Sequence, residues 1–525
     1  CFSRVMAVGV FMNKGMSFRT VSAVVLCTAS LFFWSCGGGK PVPQALPDEH
    51  EARIPQQKDG GKMVFGVATE LNNFDPFSSM TADARSIGFN IFDGLVNVAV
   101  DGSFTPAIAE EYSVSADSCT WSFVLRKGVK FHNGKLLDKD DVLYSIQKAR
   151  DGKMTGYGAI QSVSFDDASH KIVIQLSSPD AGFIAYLTTP IVPKDAKDLA
   201  THPVGTGPYA FKEYVEQDHI TLVRNSSYWG KMAYLDTIVV KFMASQADFV
   251  LNFQAGSIDG FSANADTVEQ LDRDSINLYP RNSNSVQLLA LNNKFGPFAD
   301  KKVRQALCYL IDAETVIRTV NYGYGIKASN PLIPALSKYY DTDTDFNYMK
   351  DVQKARDLIA SSSYPDGFSF TITVPSNYNV HVKTAELAVG ELAKVGISAQ
   401  IKQVDWATWL QNVYSNRDFE ATVISFDGHF AYPTAFLARY CSDAKNNMIN
   451  FSNAEFDRLF KRGTLAVRED ERIECFKQCQ KILSEEAASV FLEDISMLSV
   501  YNKHFQGCKS YPLYAIDFSA IYAVE

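Results

Sequence analysis

No two histidines in this chain lie within five residues of each other, and there are only eight among 525 residues. That scatter excludes the helical His-Glu-x-x-His metal site, and the chain also lacks a Gly-x-Ser-x-Gly elbow and a phosphate-binding loop. Hydrolase chemistry therefore has no visible carrier. Carboxylates are plentiful, but most must be solvated surface charges. Basic residues are in deficit: 50 Lys and Arg stand against 59 Asp and Glu, a net charge of −9. Such a balance argues against nucleic acid, whose phosphates demand clustered cations. Long apolar runs are missing too, since the run 21–33 falls short of the ~20 residues a membrane-spanning helix needs.

What that run does carry is an export signal. Arg4, Lys14 and Arg19 precede it as a basic region, and Ser35-Cys36-Gly37-Gly38-Gly39 follows it as a cleavage site with a cysteine to be lipidated. Phe33 and Trp34 are bulkier than usual before such a cysteine, whereas Ser35 and the glycines fit. The chain opens on Cys1, so its start is expected upstream of the true initiator, for which Met6, Met12 and Met16 are candidates. The first 35 residues hold three basic and no acidic residues, so their removal leaves 47 basic against 59 acidic residues, a net charge of −12.

Nine cysteines leave six outside the signal and Cys36: Cys119, Cys308, Cys441, Cys475, Cys479 and Cys508. Up to three disulfides are possible in an oxidising compartment. Cys475 and Cys479 sit four apart in a helical stretch, where buried thiols on one face are favoured over a metal edge because no second pair or nearby histidine completes four ligands.

Residues 37–61 carry Pro41, Pro43, Pro47 and Pro55 with almost no aromatic or branched residues, which reads as a tether. From Lys62 the character changes. Strands are expected at 63–67, 121–125, 172–176, 209–215, 288–291, 368–374, 397–404 and 419–426. Asn133-Gly134 supplies a tight turn, and Asp138 and Asp300 are placed to cap helices. Further helices are expected from about His381 to Gly396, from Trp406, and near Asn453 and Asp470, with a domain crossing near 287–292. The strand-helix alternation beyond that crossing implies a mixed α/β lobe, and the length implies two or three globular units. No internal repeat is present. Gly205-Thr-Gly207-Pro-Tyr-Ala210 has glycine spacing like a dinucleotide fingerprint, but Pro208 and the alternation after it predict a strand where that motif needs a helix. Gly323-Tyr-Gly325-Ile-Lys-Ala328 is equally weak, because Asn330-Pro331 blocks a helix soon after.

The run Trp121 to Gln147, with Phe-Val-Leu-Arg-Lys-Gly-Val-Lys-Phe-His-Asn-Gly and Asp-Asp-Val-Leu-Tyr-Ser, resembles the family 5 extracellular solute-binding proteins, the oligopeptide- and dipeptide-binding receptors of ABC importers. The likeness extends through Asn90-Ile-Phe-Asp-Gly-Leu95, Thr206-Gly-Pro-Tyr209, Phe298 to Leu307, Val404-Asp-Trp406 and Tyr432 to Leu437, covering about Lys62 to the C-terminus.

The resemblance implies an α/β, bilobal periplasmic-binding-protein fold of type II, in its large three-domain form, with two hinge strands. A first lobe would comprise 62–285 and 499–525, with a subdomain at about 81–198, and a second lobe 286–498. The ligand would lie between lobes that close around it by hinge motion. Carried over by position, Glu70, Leu71 and Asn72 resemble the edge that pairs with a peptide backbone, Tyr144 a ligand-facing tyrosine, Thr206 and Gly207 a backbone-contacting loop, and His381 and Trp406 pocket residues. Tyr144 and Trp406 fit a core contact equally well.

Two departures stand out. Aligned on Pro433, the family's aspartate for the peptide ammonium falls on His429, and an arginine for a carboxylate falls on Val423. Asp427, in the loop Ser425-Phe426-Asp427-Gly428-His429, is the substitute, with Phe426 beside it. The implied protein is no enzyme and has no cofactor. It is a monomeric lipoprotein of the periplasm or cell envelope, held to a membrane through Cys36 alone, that captures peptides and passes them to an ABC permease and its ATPase subunits. A non-peptide solute such as a sugar or a nickel chelate at His429, or a surface hydrolase or adhesin, are the alternatives.

Overall fold

Asp138 starts the helix Lys139–Asp151 with a reciprocal capping box: its carboxylate accepts from the amides of Asp140 and Asp141, and Asp141 accepts from the Asp138 amide at 3.1 Å. Asp300 and Asn453 likewise cap Lys301–Leu310 and Ala454–Leu465. The helix expected from about His381 runs Asn379–Leu392, and Gly396, at φ 82°, ends its 3-10 extension. After Trp406 only Trp406–Thr408 is α-helical; the chain then widens into a π-helix, Trp409–Ser415, which buries both Trp409 and Val413. The computed structural model describes residues 57–68, 70–78, 80–342, 348–428 and 430–525. The segment expected to be an export signal, Cys36, most of the expected tether and His429 lie outside the described residues.

Of five sheets among the described residues, the three largest organise them, all within one compact unit, Pro55–Glu525. A seven-stranded sheet runs in the order Ile276–Arg281, Met497–Asn502, Gly260–Ala263, Lys62–Val67, Thr237–Phe242, His219–Arg224, Tyr209–Val215. A six-stranded sheet runs Gly325–Lys327, Val490–Ile495, Ser285–Leu291, Ala421–Asp427, Ser369–Pro375, Ser398–Val404. A four-stranded antiparallel sheet joins Ala109–Val114, Thr120–Leu125, Lys171–Leu176 and Ile160–Asp166. The chain passes from the seven-stranded to the six-stranded sheet between Arg281 and Ser285, and returns between Ile495 and Met497.

Each large sheet is covered on both faces. Phe65, Ile238 and Phe518 lie in one core of the seven-stranded sheet and Phe249 and Phe261 in the other. Ile372 and Val303 pack on one side of the six-stranded sheet, Trp409 and Phe436 on the other. Each such side chain contributes roughly 1.5–3 kcal/mol on burial. Within the motif Phe298 to Leu307, Arg304 is buried and donates to the carbonyls of Phe298, Glu486 and Ala487, so it closes the end of the helix Glu469–Glu485.

The six described cysteines are free thiols, and Cys475 and Cys479 are buried together on one helix. None of the three possible disulfides forms. No helix among the described residues is long and apolar enough to cross a membrane.

Candidate functional site

The residues that carry the chain between the two large sheets are tied to each other by side chains. Asp494, fully buried, accepts from the amide and hydroxyl of Ser283 (2.9 and 2.6 Å), which links the outgoing crossing to the returning one. Asn284 takes the left-handed φ of 60° and donates from its side chain to the carbonyl of Gly428, whose amide donates back to the Asn284 carbonyl. Asn282 donates from its amide to Ser510. The crossings are thereby fastened to the loop after Ala421–Asp427 and to the C-terminal segment.

Beside these crossings lies a cavity of about 300 Å3. One side is built by the helix Ala82–Gly88 and the residues after it, by Asn97 and Val98, and by 513–515; the other by Asp427, Gly428, Phe430 and Ala431; Ser283 and Asn284 lie between them. Its wall is largely apolar, with Phe89, Phe92 and Phe430 prominent, and among the described residues only Arg85 and Asp427 bring charge to it. No hydrogen bond to the Asp427 carboxylate is made by the described residues, and its carbonyl meets Arg439 at 3.4 Å. Asp427 ends a strand that runs parallel to Ser369–Pro375 and Ser398–Val404, so it stands at the carboxyl edge where open α/β sheets bind ligands. A second cavity, about 320 Å3, shares Phe89, Phe92, Asn97 and Val98 with the first, and Lys509 stands exposed on its wall.

Three contacts bridge the two sheet systems around the cleft. Lys383 reaches both oxygens of Asp266 at 2.8 Å, Arg273 donates to the Tyr324 hydroxyl at 2.6 Å, and the rings of Tyr186 and Phe430 meet edge to face at 4.6 Å.

Of the described residues expected from sequence, Asp427 alone lines the main cavity. Thr206 and Gly207 do not, and the geometry explains their conspicuous spacing. A Cβ on Gly205 would sit 2.1 Å from the carbonyl oxygen of Ile91 and one on Gly207 2.6 Å from that of Asn90, so only glycine lets this loop press against Asn90-Ile91. Gly207 spends its amide on Ile91 and its carbonyl on His132 and Asn225. The Thr206 hydroxyl joins Asn97 and the Trp229 indole on the buried Asp93, whose carboxyl is raised by desolvation despite these donors. The loop leads into the strand Tyr209–Val215, as the sequence predicts.

Glu70 is held below the usual carboxylate range by the Tyr214 hydroxyl and the Gln217 amide. Leu71 is core, and exposed Asn72 borders a separate small cavity of about 50 Å3 with Phe211 and Tyr214. Tyr144 packs half-buried on the core of the seven-stranded sheet, 5.9 Å from the Lys148 ammonium.

His381 is buried, with its Nδ1 2.9 Å from the Gln287 amide nitrogen, and burial pushes its pKa down to about 4. Trp406 is exposed but stacked on buried Trp409, with centroids 5.1 Å apart, and Tyr378 meets its edge. Phe426 is half-buried beneath the Arg439 guanidinium, 4.1 Å from its ring centre. His429 falls outside the described residues, and Val423 is a fully buried core residue. Arg85, Phe89, Asn284, Phe430 and Tyr514 were missed: no local motif marks them, because the wall is assembled from segments hundreds of residues apart.

Comparison with known proteins agrees with this architecture. Heme-binding protein A of Haemophilus influenzae is 29% identical over 427 residues, 73% of this chain and 77% of its own. The dipeptide-binding protein of Escherichia coli is 26% identical over 483 residues, 83% of this chain and 89% of its own. Among solved structures, the ABC transporter-associated periplasmic binding protein DppA of Helicobacter pylori in complex with the peptide STSA superposes with a TM-score of 0.72 at 26% identity, covering 89% of this chain and 99% of that one. Residues 103–448 match the profile of the bacterial extracellular solute-binding proteins, family 5 (middle region), and the chain belongs to that family of binding proteins, which are not enzymes.

Proposed function

We propose that this protein captures short peptides in the cleft between its two large sheets and delivers them to an ABC permease. The observation that carries the reading is the 300 Å3 cavity walled from both sides, largely apolar and charged among the described residues only at Arg85 and Asp427, with Asp427 free to accept an ammonium. Relatives named for dipeptides and oligopeptides support it. Residues 62–285 with 499–525 act as one lobe and 286–498 as the other, with the two crossings as hinge. Lipidated Cys36 holds the monomer at the membrane outside the cytoplasm. Peptide backbones supply sequence-tolerant hydrogen bonds of roughly 0.5–1.5 kcal/mol each, and Phe89, Phe92 and Phe430 supply apolar contact for side chains.

Native mass spectrometry of the purified protein tests this. A ladder of bound masses spaced by amino-acid residues is expected, while a single porphyrin or metal-chelate mass would replace the peptide reading with another solute.

Closure adds a smaller prediction. Lys383 and Asp266 are each about one-third exposed, so their pair is worth at most about 1 kcal/mol. Asp266→Asn should weaken peptide binding about two- to fivefold by disfavouring the closed state, mainly through faster dissociation in stopped-flow measurements. Unchanged dissociation would remove this contact from the closing mechanism.

A further inference from the structure

The peptide reading assigns a partner to the ligand's ammonium and none to its carboxylate. The position onto which the resemblance places an arginine for that purpose holds Val423, which is buried in the core and is not part of the main cavity's wall. An ionised carboxylate enclosed without a cation is strongly disfavoured, so a zwitterionic ligand needs a positive group elsewhere in the wall.

Three arginines lie near the cleft, and of these only Arg85 lines the main cavity. Arg281 is buried, donating through Nε to Ser499 at 2.6 Å and through Nη1 to the Ala515 carbonyl; its Nη2 is buried without a partner, and the side chain is not part of the cavity wall. Arg439 is stacked on Phe426 and meets the Asp427 carbonyl. Arg85 differs from both. It stands on the helix Ala82–Gly88, whose start is capped by Thr81, and it lines the cavity directly. Its Nη1 donates to the Met80 carbonyl at 3.0 Å, a contact that orients the guanidinium without neutralising it. Among the described residues it forms no ion pair, and nearby Asp83 accepts from the Tyr514 hydroxyl at 2.9 Å. Nε and Nη2 remain for the two-pronged contact that a guanidinium makes with a carboxylate.

We infer that Arg85 is the carboxylate anchor of this cleft, so that the ligand is a short zwitterion lying with its ammonium toward Asp427 and its free carboxylate toward the helix Ala82–Gly88. The inference rests on the peptide reading. It makes the two charged wall residues, one from each side, a pair of complementary ends. A cavity of about 300 Å3 lies at the lower limit of ligand pockets, roughly 300–1,000 Å3, which matches a ligand of few residues. The adjoining cavity leaves room for a side chain.

The test is calorimetric titration of Leu-Leu, its C-terminal amide and its N-acetyl form into the wild type, Arg85→Gln, Arg85→Lys and Lys509→Gln. The wild type should prefer the free acid over the amide by about ten- to hundredfold. In Arg85→Gln that ratio should fall to near one with affinity for the amide unchanged, and Arg85→Lys should restore part of it. Arg85 is exposed, so thermal melts should coincide with the wild type.

Equal binding of acid and amide by the wild type overturns the inference. So does a preference that survives in Arg85→Gln or disappears only in Lys509→Gln, which moves the carboxylate to the second cavity. In each of those cases discrimination against the N-acetyl form would leave the peptide reading standing. If none of the three ligands binds and no peptide accompanies the purified protein, the peptide reading fails and the inference with it.

Discussion

Replacing Asp427 by asparagine should weaken binding of Leu-Leu by about tenfold to two hundredfold, the worth of a charge-assisted hydrogen bond of roughly 1.5–3 kcal/mol. N-acetyl-Leu-Leu, which brings no ammonium, should bind the wild type and the variant alike. The difference between the two ligands is the informative quantity, because the asparagine side chain is isosteric and keeps an acceptor while losing the charge. Asp427 is well suited to the role. It is exposed at the end of Ala421–Asp427, lines the cleft, and has no competing cation on its carboxylate among the described residues. The Gly428 carbonyl and amide held by Asn284 set the course of the loop just beyond it. Equal losses for both ligands would mean that Asp427 shapes the loop and does not recognise the amine.

Glu493→Gln should change how stability depends on pH more than any other single substitution in the hinge region. Glu493 is fully buried on the strand Val490–Ile495, accepts from Asn321 at 2.6 Å, and leaves Oε2 without a partner against Gly325, where a Cβ would lie only 2.0 Å away. Burial first, and the neighbouring Asp494 carboxylate to a lesser degree, push its pKa from the ordinary 4.5 up to about 8. Burial likewise raises Asp494 to about 6 from 3.8.

A carboxyl whose pKa is higher folded than unfolded binds its proton more tightly when folded. Its contribution is therefore complete below about pH 4.5 and is lost as pH rises toward 8. Over that window the wild type should lose up to about 4 kcal/mol that the glutamine variant, which cannot ionise, retains. Urea unfolding of ligand-free protein at pH 5 and pH 8 measures this directly. The free-energy difference between the two proteins should grow in favour of the variant at the higher pH, and a difference independent of pH would refute the buried, protonated state of Glu493. Asp494 must ionise in the same window, so part of the slope will survive in the variant.

Local patterns were legible wherever their cause was local. Asp138, Asp300 and Asn453 announce helix starts because a short side chain reaches an amide two or three residues on. The alternation of Trp121, Phe123 and Leu125 announces a strand because its period is a property of the extended backbone. The Trp406 segment was less legible, since the π-helical widening at Trp409–Ser415 accompanies the burial of Trp409 against Thr422 on another strand. The glycines at 205 and 207 could be seen to matter, but whether they faced a ligand or Asn90-Ile91 depended on a segment more than a hundred residues earlier.

By itself, the sequence determined the family, the alternating α/β character and the candidacy of Asp427, all of which rest on short-range patterns or on motif order along the chain. Tertiary structure alone decided that Val423 is core, that Thr206 and Gly207 brace a wall, that Glu493 is buried beside the crossings, and that Arg85 shares a cavity with Asp427. The reason is physical. Burial, desolvation and convergence of charge are set by which distant segments pack together, and no window of sequence contains both sides of a cleft.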